Sequence, residues 1–481
     1  MKQTDWKIIY TNYAGPEKRA VNFLYKEAGR YIIREVNVYR VHVLPCEKDG
    51  CALTKNAIFV GCYEGSAAIQ NLVKKEEVPA KGFLVKVIPN PDDAEGRFVI
   101  LTAHDPVDVY YAAVSFIDDY IPRYGKVSGS NPMTDLTFDE PLAECSYTQV
   151  PDHKTRSIFT WGHSFNDFRG YIDNMARQHF NELILWNDFV PLNIEEIIDY
   201  AHSYGITVNL GYSWGWLPHQ CAGITEIDDA ALEKMKDEII RKFKDEYAQT
   251  GCDGIYFQSF TEQERDSIGG RLIAEAVTTL VNMTAKEMWA LAPHLKLQFG
   301  LHASSVRTHL DEIAKVDPRI EILWEDCGEF PYGYDPYVKS EDAYAETLDF
   351  TKKLLNLRDG AGVGLVFKGV MMLDWKMFIH QTGPYVMGEN HRDIALHDRK
   401  IRAKGWQGFS ADWVRNGDRV AQMVKFINEN KLNDVNMCLA GTLDGGIYLP
   451  MALCAQMYWN CDDSFPDLLK TVMQKPCITT D

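Results

Sequence analysis

The sequence predicts an α/β protein, a (β/α)8 TIM barrel preceded by a small α/β domain. Three observations predict it. From Arg156 onward, strand-like apolar runs alternate with amphipathic helical stretches, in units of roughly 30 residues. Each run ends in aromatic or polar residues, where a barrel strand would emerge at its C-terminal mouth. No G-x-G-x-x-G follows an early strand, as a doubly wound dinucleotide-binding sheet would favour.

The first 150 residues read as the small domain. Lys7–Tyr10 is a short strand, Glu17 to about Arg30 a helix, and Glu35–Leu44 alternates as a strand with Val36, Val38 and Val41 β-branched. Asn56–Gly61 is a second apolar run. Gly82–Ile88 and Arg97–Leu101 form a hairpin across Asn90-Pro91-Asp92-Asp93. Pro106–Tyr120 has helical spacing, and Lys126–Asp152, rich in Pro, Ser and Asp, reads as a linker.

Eight strands are expected for the barrel, over 151–430. They are Ser157–Trp161, Glu182–Trp186, Ile206–Leu210, Gly254–Phe257, Leu295–Gly300, Ile320–Trp324, Gly364–Val370 and Gly405–Phe409. The helices between them are Phe168–His179, Ile194–Tyr204, Ala230–Tyr247, Arg271–Ala292, Val306–Val316, Asp342–Leu357 and Asp412–Asn428. Residues 431–481, with a helix at Tyr448–Trp459, are expected as a C-terminal extension packing on the barrel.

Composition narrows the function. The chain has 481 residues, 46% of them apolar, enough for a large core. Its formal net charge of −18, from 50 Lys+Arg against 68 Asp+Glu, disfavours a nucleic-acid or anionic-membrane partner. The 11 cysteines show no C-x-x-C, which fits a reducing, cytoplasmic location. No signal core opens the sequence and no apolar run of about 18 residues appears. No metal-ligand spacing such as H-E-x-x-H occurs, so neither metal nor cofactor is expected. A homo-oligomer is left open.

Reading off the strand ends assembles a polar, aromatic mouth. Trp161, His163, Asn187, Tyr212, Trp214, Gln258, His302, Lys368, Asp374 and Trp413 are the expected substrate-binding residues. Aromatic faces stack on pyranose C–H faces, and amides, carboxylates and imidazoles bind hydroxyls, so a carbohydrate is the substrate class this set suits. Hydrolysing a glycoside needs two carboxyl groups, one to protonate the leaving oxygen and one to activate water or attack. Glu262, after the fourth strand, and Glu325, after the sixth, form the expected pair. Asp326 is the alternative second member, because adjacent strand positions point opposite ways. A non-catalytic carbohydrate-binding barrel is the competing function. A barrel lyase or isomerase using Lys368 and Glu325 with a metal is a third.

Asp253-Gly254-Ile255-Tyr256-Phe257-Gln258-Ser259-Phe260-Thr261-Glu262 resembles the fourth-strand motif of the α-glucuronidases of glycoside hydrolase family 67. Ile322-Leu323-Trp324-Glu325 is similar to that family's sixth-strand segment. The helix Tyr448–Trp459 running into Asn460-Cys461-Asp462 resembles one after its barrel. Arg97–Tyr120 resembles the small N-terminal domain found there and, more loosely, in the related β-hexosaminidases. The resemblance implies that Glu262 is the general acid, that Glu325 belongs to the base, and that an acidic (uronic) or N-acetylated sugar is the substrate. The family's second base, an Asp near the fifth strand, is replaced here by His302-Ala303-Ser304-Ser305.

Overall fold

The structure is a computed structural model. It describes residues 6–32, 44–125, 127–128, 137–138, 141–160, 165–187, 189–215, 224–325, 343–368, 383–431, 434–441 and 446–479. The chain divides into two compact units. One comprises Met1–Pro151, His202–Gly205 and Lys470–Ile478, and the other the remainder.

The smaller unit is built on a six-stranded sheet in the order Cys46–Lys48, Trp6–Tyr10, Asn56–Cys62, Asp93–Ala103, Phe83–Asn90, Cys145–Gln149. The first four run parallel, and the last two pair antiparallel. The expected hairpin is present as Phe83–Asn90 with Asp93–Ala103. Its buried face packs Phe59 edge-on against Phe98 at 5.1 Å, together with Ile69, Leu84 and Ile100. The expected strand Glu35–Leu44 lies almost wholly outside the described residues. The expected linker is corrected in part, because Cys145–Gln149 joins the sheet edge beside Phe83–Asn90.

The larger unit is a closed barrel of eight parallel strands. In order around the ring they are Thr155–Phe159, Glu182–Trp186, Thr207–Gly211, Gly254–Gln258, Lys296–Leu301, Glu321–Trp324, Val363–Phe367 and Val435–Ala440. The eighth closes on the first, with Cys438 beside Ser157 and Ala440 beside Phe159. Seven strands fall where expected within a few residues.

The eighth does not. Gly405–Phe409, expected as that strand, lies inside the helix Arg392–Asn430. The reason is spacing: Trp406, Phe409 and Trp413 recur every three to four residues, which is helical, and Trp406 stacks on Tyr448 at 4.1 Å. The true strand, Val-Asn-Met-Cys-Leu-Ala at 435–440, is buried throughout. Residues 431–481 are therefore not simply an extension on the barrel's outside.

Polar caps fix where the outer helices start. Asp167 accepts from the Gly170 amide ahead of Phe168–Arg177, and Asp228 from the Ala231 amide ahead of Asp229–Lys242. The expected helix Val306–Val316 is a single turn, Leu310–Ile313.

Inside the barrel the side chains form layers. The central layer is apolar, with Phe159, Ile184, Tyr256, Leu323, Val366, Cys438 and Ala440 all buried. Each large apolar group there contributes roughly 1.5–3 kcal/mol by leaving water. Below it, at the N-terminal ends, lies a polar layer. Glu182 accepts from Ser157 at 2.7 Å, Gln298 at 2.8 Å and Asn436 at 2.8 Å. Lys296 bridges Glu182 at 2.7 Å and Glu321 at 2.9 Å. Burial, the largest influence on Glu182, pushes its carboxyl up, but the Lys296 charge and these donors outweigh it and hold it below the usual range. Among the described residues no helix is long and apolar enough to cross a membrane.

Candidate active site at the barrel mouth

The site follows from strand alternation. Leu323 faces the barrel interior, so Glu325, two residues on, faces inward as well. On the fourth strand Tyr256 and Gln258 share that face. The fourth and sixth strands are not neighbours, because the fifth lies between them. Their side chains meet across the interior only because the fifth strand offers Gly300 at that level. A Cβ on Gly300 would fall on the Tyr256 hydroxyl and the Glu325 carboxylate.

Glu325 is wholly buried. Its Oε1 accepts hydrogen bonds from the Tyr256 hydroxyl and from Gln258 Nε2, the latter at 2.6 Å. His302 Nε2 lies 3.3 Å from Oε2 and Lys368 Nζ 3.9 Å from it. The Lys368 contact is an ion pair, the His302 contact is one when the imidazole is protonated, and among the described residues Oε2 has no directed hydrogen bond. Burial, the largest single influence, pushes the Glu325 carboxyl up. The His302 and Lys368 charges and the Tyr256 hydroxyl outweigh it together and hold it at about 2. The group is an anion at neutral pH. Burial and the neighbouring Glu325 charge also drive the Tyr256 phenol well above its ordinary range, so it stays a donor.

Trp186 closes this layer on the second strand, edge-on to Tyr256 at 5.8 Å. Gly211 on the third strand makes room for it, since a Cβ there would come within 2.6 Å of the indole. Asn187 follows, buried, with its Oδ1 lacking a hydrogen-bond partner among the described residues.

Glu262 stands apart from this cluster. It is exposed, at the apex of a three-residue turn in which the Gln263 amide donates to the Thr261 carbonyl at 3.0 Å.

The structure thus brings Gln258, His302, Lys368 and Glu325 together. Three of the expected mouth residues are placed elsewhere. Tyr212 is buried, stacked on Tyr247 at 4.5 Å, with its hydroxyl donating to the Ile239 carbonyl. Trp214 is buried face-to-face with Phe257 at 3.6 Å. Both lie on the outward side, against the helix layer, because Phe257 alternates with the inward Tyr256 and Gln258. Trp413 is buried within the helix Arg392–Asn430 and follows no strand. Trp161, His163, Asp326 and Asp374 lie outside the described residues. Tyr256 and Gly300 were missed as site residues, whereas Trp186 ends the second strand as the sequence places it. Counting back by two from Gln258 would have found Tyr256.

Among the described residues no group of three or more His, Cys, Asp or Glu is placed to hold a metal ion. The chemistry available is that of a fixed buried anion with a basic rim, beneath a mouth whose fourth-strand loop carries a second carboxylate.

No family model and no curated protein matches the sequence. Solved structures do match. The structure of CpGH84B is 11% identical, with a TM-score of 0.53 over 98% of this chain and 71% of its own length. A GH138 enzyme targeting pectin rhamnogalacturonan II is 11% identical, with a TM-score of 0.51 over 96% of this chain. This chain spans 52% of that enzyme's length. At such identity the likeness shows a shared fold, a barrel of this kind. Neither neighbour belongs to family 67.

Proposed function

We propose that the protein is a glycoside hydrolase acting on a glycoside or oligosaccharide, with an acidic (uronic) or N-acetylated sugar as its substrate class. The observation that carries this reading is the ionised, buried Glu325 at the C-terminal end of the barrel. Glycoside cleavage passes through an oxocarbenium-like, cationic transition state. An anion prefixed by Tyr256 and Gln258 in a low-dielectric layer stabilises such a charge without reorganising. A carboxyl held at about 2 is no proton donor at neutral pH. Glu325 therefore takes the role of base or nucleophile, and Glu262 that of acid. The two carboxyls sit in different environments, Glu325 sealed in the barrel and Glu262 in solvent. His302 and Lys368 are the sugar-binding groups beside Glu325, and Lys368 is the partner for a substrate carboxylate. Asp326 remains the alternative second carboxyl. The glycosidase names of the two fold neighbours, GH84 and GH138, are consistent with this reading. A cytoplasmic location accords with the free thiols of the nine described cysteines.

A panel of 4-nitrophenyl glycosides, with uronides and N-acetylhexosaminides included, tests the activity. Replacing Glu262 by Gln is expected to cut turnover on poor leaving groups by about 10²–10⁴-fold, and much less on activated aryl glycosides. Full activity of Glu262→Gln on the poor substrates would remove Glu262 from the role.

The complete burial of Glu325 favours one second reading, a carbohydrate-binding barrel without chemistry. Calorimetric binding of sugars with no hydrolysis across the panel would select it.

A further inference from the structure

We infer that Ser304 and Ser305, in the loop after the fifth strand, are positioning residues for Glu262. The inference rests on the glycosidase reading above. Among the described residues no hydrogen bond or ion pair joins the Glu262 side chain to the buried anion cluster, so something else must hold its backbone if it is to deliver a proton. The Thr261 carbonyl is that anchor. It accepts the Gln263 amide at 3.0 Å, closing the turn whose apex is Glu262. It also accepts the Ser305 amide at 3.2 Å, the Ser305 hydroxyl at 2.5 Å and the Ser304 hydroxyl at 3.1 Å.

A carbonyl oxygen has two lone pairs. The four donors therefore share those lone pairs, and three of the four come from the fifth-strand loop, which ties the Thr261 carbonyl to it. Thr261 is wholly buried and Ser305 nearly so, so the clamp is shielded from competing water. On the other side of the turn, the Ser259 hydroxyl donates to the Trp214 carbonyl at 2.9 Å. The segment is thus tied to the loops on both sides, and within 259–266 only Glu262, Glu264, Arg265 and Asp266 are exposed. In this chain the fifth-strand loop supplies donors to the acid's backbone.

The test uses the full-length protein. In Ser305→Ala, amide exchange in peptides spanning Phe260–Arg265 should quicken several-fold. Hydrolysis of a poor leaving group should fall on the order of ten- to a hundredfold, relative to an activated aryl glycoside, with KM little changed. Ser304→Ala, which removes one half-exposed donor, should do both to a lesser degree and covers the case in which Ser305→Ala does not fold.

Unchanged exchange in both variants overturns the clamp. Faster exchange with equal slowing of both substrates overturns the positioning role, because a general loss of structure would not select by leaving group. If the wild-type protein hydrolyses nothing in the panel, the glycosidase reading falls and the positioning role falls with it. The exchange arm then still decides whether the clamp exists.

Discussion

Gln258 Nε2 donates to Glu325 Oε1 at 2.6 Å, joining the fourth strand to the sixth across the glycine of the fifth. This bond and that from Tyr256 fix the orientation of a buried carboxyl, which the His302 and Lys368 charges and the Tyr256 hydroxyl hold as an anion.

Gln258→Leu removes one charge-assisted donor and should cost about 1.5–3 kcal/mol at neutral pH. The sign with pH follows from linkage. Glu325 titrates at about 2 when folded and near 4.5 otherwise, so its stabilisation is present above 4.5 and is lost as pH falls toward 2. The variant raises the folded value. Its deficit against wild type should therefore be largest near pH 7 and shrink toward pH 2, as read by urea unfolding at each pH. A constant deficit across that range would contradict this account.

Gly300→Ala tests the crossing point. The added methyl meets the Tyr256 hydroxyl and the Glu325 carboxylate, both buried and held by hydrogen bonds to each other and from Gln258. Overpacking of this kind costs about 1–3 kcal/mol. A drop in thermal midpoint with loss of glycoside turnover is expected, whereas a silent substitution would mean the layer has slack.

A second buried group, far from the mouth, sets an acid limit. His153 is buried, and neither ring nitrogen has a hydrogen-bond partner among the described residues. Burial foremost, then the Lys431 and Arg156 charges, lowers its imidazole from 6.5 to about 3. The folded protein therefore keeps it neutral while the unfolded chain binds a proton. Stability should fall by about 1.4 kcal/mol per pH unit as pH drops from 6.5 toward 3. His153→Phe should flatten that slope by one proton without loss at pH 8. An unchanged slope would assign the acid sensitivity elsewhere.

Much of the fold is legible in the chain, because local periodicity carries it. Seven strands announce themselves as short apolar runs bounded by turn residues, and Leu449–Trp459 reads as a helix from its apolar length alone. The eighth strand was hidden. Val435–Ala440 is a short buried run with an Asn inside it, and Gly405–Phe409 offered a decoy whose helical period shows only over a longer window.

The site divides along the same line. That Glu325 and Gln258 sit at strand ends follows from the sequence, as does Glu262 in the loop beyond. Sequence alone could not assign Tyr212 and Trp214 to the helix side, because an aromatic at a strand end is compatible with either face until register is fixed. Nor could it show that Glu325 is a sealed anion, since that depends on Tyr256, His302 and Lys368 arriving from three other strands. Strand identity is written in neighbouring residues. The charge state of a carboxyl is written in distant ones, and only closure of the barrel brings them within reach.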